Sequence, residues 1–174
     1  MRVSKIAAII GLMSALAGCG GGSSSSAPPA PDKGTQLNSP PANTAPVSFT
    51  VIDHGPTNAA AYDAPISNAV IRNDVDWAAL WRAHQGAGGT RPLPPVDFSK
   101  QTVLALFYPQ VTSCPVTGVT SVYLQENKLI VEYATRSTQL PDSACTSIAY
   151  AAAELVAIDM AADPGLPVVF QKTN

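Results

Sequence analysis

Side chains able to act as bases, nucleophiles or metal ligands are few in this chain: two histidines, three cysteines and twelve acidic residues among 174 positions. A hydrolase needs a nucleophile with a base in reach. His54 follows Asp53 and precedes Asp63, which makes it the first candidate base or ligand contact, but no Gly-x-Ser-x-Gly elbow accompanies it. Asp53, His54 and Asp63 could also ligate a metal, yet their spacing fits no known metal motif, and neither a metal nor a cofactor is expected. Asp97, between Val96 and Phe98, could serve as an acid or as a partner contact. A loop aspartate that accepts backbone N–H bonds from Ser99 or Lys100 explains it more simply. No second acid stands at a spacing that suggests a paired-carboxylate site. His84 ends the row Trp77, Leu80, Trp81, His84 at i, i+3, i+4 and i+7, where capping or partial burial is its expected role. The same spacing makes Trp77 and Trp81 core residues before it makes them a ligand platform.

The cysteines separate into one and two. Arg2 and Lys5 precede an apolar run over residues 6–18, the plan of a secretory signal peptide. That run ends in Leu16-Ala17-Gly18-Cys19, which resembles the bacterial lipobox, so Cys19 is the expected lipidated first residue of the mature chain. The alternative is an ordinary signal peptide with a chance cysteine. Each buried methylene of an acyl chain contributes about 0.8 kcal/mol, enough for two or three chains to hold a protein on a bilayer without spanning it. Gly20 is not the aspartate that retains such proteins at an inner membrane, which favours the outer membrane of the cell envelope. With Cys19 taken by lipid, Cys114 and Cys145 remain as an even pair in an exported protein, and a disulfide between them is expected. Two free thiols or a metal site are the rivals, and a metal needs more ligands than the chain offers nearby.

The elements that must position these groups follow from composition and pattern. Residues 20–47 are rich in Gly, Ser, Pro, Ala, Asn and Thr and bury too little apolar surface to offset ordering entropy. They read as a flexible linker, with an end-to-end distance of roughly 30 Å if they behave as a Gly/Ser-type coil. The globular domain is placed at residues 48–174. Charged residues make up 13% of the chain, about half the usual share, and ten basic against twelve acidic side chains leave a net charge of −2. No basic patch emerges, so a nucleic-acid partner is not expected. Strands are expected over residues 49–53, 69–72, 103–108 and 168–170, the third ended by Pro109. Residues 119–124 and 129–133 flank Glu126-Asn127-Lys128 as a β-hairpin. One helix is expected from Asn73 or Asp74 to Gly86, and residues 148–160 fit a helix by alanine content and a buried strand by Leu155-Val156-Ala157-Ile158. The fold class is α+β: an antiparallel sheet packed by one principal helix.

His54-Gly55 at a strand end, then Val70-Ile71-Arg72-Asn73, Asp76-Trp77-Ala78-Ala79-Leu80-Trp81, and Pro95-Val96-Asp97-Phe98-Ser99 before an apolar strand, form a pattern that resembles the PrcB family of protease complex subunit-like lipoproteins, in their C-terminal domain. The resemblance covers nearly all of residues 49–170. It implies a non-catalytic, exported or lipid-anchored module that helps assemble or stabilise a surface or periplasmic protease complex. Where the family usually carries a Gly-Gly-Tyr-like turn after the central strand, this chain has Ser113-Cys114-Pro115. Binding without chemistry is therefore the expected function, with the membrane, through the lipid, and an envelope protease or other envelope protein as partners. The loop at residues 91–95 and the two cysteine loops are the candidate contact surfaces. A periplasmic small-ligand-binding protein or a hydrolase centred on His54 is the alternative.

Overall fold

The structure, a computed structural model, describes residues 43–137 and 144–174. The expected signal peptide, Cys19 and the linker up to residue 42 lie outside the described residues. In chain order the elements are β1 (Ala45–Pro46), β2 (Phe49–Pro56), β3 (Ser67–Ile71), α1 (Asp74–Gln85), β4 (Thr102–Thr112), β5 (Pro115–Gln125), β6 (Lys128–Ser137), β7 (Ser147–Ile158) and β8 (Val168–Lys172). The α+β class holds, with the strands divided between two four-stranded sheets, β2-β7-β4-β3 and β1-β5-β6-β8. All pairings are antiparallel except β6 with β8, which run parallel.

Three layers result. Alternate residues of β4 and β7 point to opposite faces of the first sheet. Leu104, Val156 and Ile158 meet Val119, Val122, Leu129 and Val131 of the second sheet, while Val103, Ala105, Ala153 and Leu155 meet Trp77 and Trp81 of α1. Covered on both faces, β4 and β7 read as near-continuous apolar runs. That settles residues 148–158 as strand: β7 sits between β2 and β4, and Ala153 keeps the sheet surface low where the two indoles pack. Helix propensity yields here to tertiary burial.

The helix is set by its ends. Asn73 adopts extended backbone and its side chain accepts from the Asp76 N–H at 2.9 Å, while Asp74 and Asp76 stand in the first turn. Gly86 closes it at φ 74°, its N–H shared between the carbonyls of Arg82 and Ala83. The hairpin turns on Glu126 and Asn127, both at positive φ (49° and 58°), which matches a two-residue turn that follows the twist of its strands.

Strands β2, β5 and β6 are longer than expected, and two further boundaries differ for a clear physical reason. Strand β4 continues through Pro109 to Thr112, because β3 stops pairing at Phe107 and a missing N–H on that open side removes no ladder bond. The folded body also begins before Ser48, inside the segment assigned to the linker. Ala45 and Pro46 pair with Leu124 and Tyr123, Val47 donates its N–H to the Val122 carbonyl, and the Val47 side chain joins the core between the sheets. A single valine after a polar stretch is too little pattern to mark a strand.

Candidate functional site

A β-bulge in β2 separates two neighbouring side chains into two sites. Val51 pairs with Val156, but the next paired residue is Asp53, opposite Leu155, so Ile52 is an extra residue. Ile52 and Asp53 thus both lie on the α1 side of the sheet, and His54, opposite Glu154, faces the space between the sheets. Unbroken alternation from Phe49 would leave Ile52 where it is and place Asp53 and His54 each on the other face.

On the helix side, His84 is buried and holds two partners. Its Nε2 lies 2.6 Å from Asp53 Oδ2 and its Nδ1 2.8 Å from Thr57 Oγ1. Arg91 Nη2 reaches the same Asp53 oxygen at 2.9 Å, and its guanidinium sits 4.9 Å from the centre of the Trp81 ring. Burial pushes the Asp53 carboxyl up, but the hydrogen bonds and charges of Arg91 and His84 outweigh it, leaving the group below its ordinary value. A hydroxyl, an imidazole and a carboxylate in line have the connectivity of a nucleophilic triad. Here, however, Thr57 is buried and its hydroxyl oxygen already accepts the Ala59 N–H at 3.1 Å. The arrangement ties α1, β2 and the loop at residues 91–95 together. Full burial of His84 exceeds the capping or partial burial expected of it. The two indole N–H groups complete the tie by donating to the Pro94 carbonyl at 2.9 Å and the Arg91 carbonyl at 3.4 Å.

Between the sheets, His54 opens on a cleft of about 270 Å³ lined also by Val116, Gly118, Val119, Ala134, Arg136 and Glu154. Glu154 is buried in the otherwise apolar face of β7. One of its oxygens accepts the Val119 N–H, and the other lies 3.7 Å from His54 Nδ1. Tyr108 of β4 meets His54 Nε2 at 3.3 Å. Burial, then the charge of Glu154 and the nearby Tyr150, push the Tyr108 phenol up, so it keeps its proton to donate. Gly118 allows the carboxylate to lie close: a Cβ there would stand 2.8 Å from Oε2 and 2.9 Å from Oε1.

The other expected residues lie apart. Asp97 belongs to an exposed turn, where it accepts the Ser99 N–H at 3.1 Å and the Ser99 hydroxyl at 2.5 Å and meets Lys100 Nζ at 3.1 Å. These bonds, that from the Ser99 hydroxyl foremost, hold its carboxyl below its ordinary value. Asp63 is exposed and makes no contact with Asp53 or His54. Among the described residues, no group of three or more His, Cys, Asp or Glu is placed to hold a metal. Cys114 and Cys145 form a disulfide with Cα atoms 5.3 Å apart. It is flanked by bonds from the Ser113 N–H to the Thr146 carbonyl and from the Thr146 N–H to the Ser113 hydroxyl.

The chain matches no protein-family model, no curated protein and no solved structure. No described helix is long and apolar enough to cross a membrane. Sequence reasoning missed Glu154, Tyr108, Gly118 and Arg136 as neighbours of His54. The one available signal was Glu154 itself, a lone charge in the run Ala151-Ala152-Ala153-Glu154-Leu155-Val156. Such a residue is rarely buried without a partner.

Proposed function

We propose that this chain is a non-catalytic lipoprotein of the bacterial cell envelope, anchored through acyl chains on Cys19, whose folded body is a protein-interaction and stability module. The observation that carries the reading is the partition of the cysteines. Cys114 and Cys145 are joined, a pairing typical of oxidising compartments, and the odd thiol is Cys19, directly after Leu16-Ala17-Gly18. The layout of the body supports it. The chain enters at β1, beside Tyr123 and Leu124, while the His54 cleft and the disulfide lie toward the other end of β5, some four to ten residues or roughly 13–33 Å away. A tether from Cys19 would therefore leave the cleft and the cystine loops directed away from the point of entry. The pattern shared with the PrcB-like lipoproteins suggests an envelope protease complex as the partner. Tethering would raise the local concentration of the module there without any new contact.

Metabolic labelling with radioactive palmitate tests the anchor: the chain is expected to take label and the Cys19→Ala variant to lose it. An unlabelled wild-type chain would overturn the reading. Crosslinking in the intact envelope tests the partner, with a protease or its scaffold as the expected product.

A further inference from the structure

We propose that the cleft between the sheets binds a small zwitterion of the α-amino-acid type, its ammonium on Glu154 and its carboxylate on Arg136. The proposal goes beyond the interaction role and does not depend on the anchor, because every residue it uses belongs to the folded body.

The floor of the cleft calls for a cation. Glu154 is 7% exposed, and only one of its oxygens receives a protein hydrogen bond, from the Val119 N–H. The other is 3.7 Å from His54 Nδ1, too far for a hydrogen bond. Among the described residues no sealed-off side-chain oxygen or nitrogen lacks a partner, so this second oxygen opens on the cleft. A carboxylate that is largely removed from water and has a bare lone pair is best met by an N–H donor that also carries positive charge. Tyr108 holds the imidazole from behind through Nε2, which turns Nδ1 toward the same oxygen and orients the ring without filling the space in front of it.

The rim calls for an anion. Arg136 stands two residues beyond Ala134 on the same face of β6, about 7 Å further along the strand, and lines the same cleft. It is exposed, and no described acid pairs with it. Between the two charges, Val116, Val119 and Ala134 supply apolar wall. A cleft of about 270 Å³ is at the small end of ligand sites. An amine alone would leave Arg136 unused, and a carboxylate alone would meet the charge of Glu154. A ligand carrying both groups a few ångströms apart satisfies both ends at once.

The test uses the full, ¹⁵N-labelled chain in detergent micelles, titrated with L-alanine and with its two single-charge counterparts, ethylamine and propionate. Alanine is expected to shift the amide signals of Gly118 and Val119 saturably, with both counterparts at least about tenfold weaker. Arg136→Gln, at an exposed position with no described ion pair to lose, is expected to weaken alanine by about tenfold or more, and Glu154→Gln to do the same. Silence of Gly118 and Val119 toward alanine would overturn the proposal, as would ethylamine binding as tightly as alanine or an Arg136→Gln variant that binds like the wild type. A chain that takes no palmitate but binds alanine would sink the lipoprotein reading and leave this one standing.

Discussion

Asp53 accepts from a buried imidazole and an arginine through a single oxygen, which makes it the most consequential acid in the fold. Its carboxyl is held below its ordinary value in the folded chain, so its contribution to stability is complete above the unfolded value near 4 and is lost as pH falls through the lower folded one. Asp53→Asn is expected to cost about 2–3 kcal/mol at neutral pH, less than for a sealed pair because the carboxylate is one-fifth exposed. It should also flatten the decline of stability below about pH 4. Urea unfolding of both proteins across that range checks both statements. An equally steep acid decline in the variant would assign the pH dependence elsewhere. Glu132 is the next candidate: burial raises it, but hydrogen bonds from Ser121, Tyr123 and Gln171 hold it below its ordinary value. Asp53 and His54 were conspicuous in the sequence as neighbours. That they serve different faces was not, because a bulge leaves no mark in the residue types around Ile52.

The helix was the most legible element. Asn73, the indole spacing and Gly86 each act through contacts within a turn or two, and all three occupy the positions their types suggest. Strand β7 was illegible for the opposite reason, since its state depends on β2 and β4, which are distant in sequence. The Cys114–Cys145 bridge links the end of β4 to the start of β7, two strands that already pair side by side. It closes a sequence separation of 31 residues, so its removal frees the unfolded chain by about 3–4 kcal/mol in the entropy model. The double variant Cys114→Ser, Cys145→Ser is therefore expected to melt roughly 10 °C lower than the oxidised protein. Reductant should lower the melting temperature of the wild type alone; an equal shift in the variant would mean that the bridge is not its target.

Three layers around β4 and β7 make the body a sandwich with one helix laid on its outer face, and that geometry decides where the chain can be cut. Val47 is 8% exposed and packs with Phe49 in the core between the sheets, while β1 extends the second sheet alongside β5. A chain beginning at Ser48 is expected to be about 2–3 kcal/mol less stable than one beginning at Asn43, through loss of one buried valine and the bonds that hold it. The check is the urea midpoint of the two chains. Equal midpoints would return residues 43–47 to the tether. The same packing makes the cleft, because His54, Glu154 and Tyr108 come from three strands of one sheet and Gly118 and Arg136 from the facing sheet.

What could be read before any coordinates were those features whose cause is local. They are the α+β class, the capped helix with its buried indoles, the hairpin at Glu126 and Asn127, the turn role of Asp97, and the pairing of Cys114 with Cys145 by count. Packing alone assigned the rest: the division of strands into two sheets, the strand state of an alanine-rich segment, the opposite facing of Asp53 and His54, and the meeting of Glu154 with His54. Each of these depends on which residues lie opposite one another across a sheet or between sheets, and a one-residue shift of register reverses every face. Side-chain type records a residue's preference for burial or charge, while the partner that satisfies it is chosen only when distant strands come together.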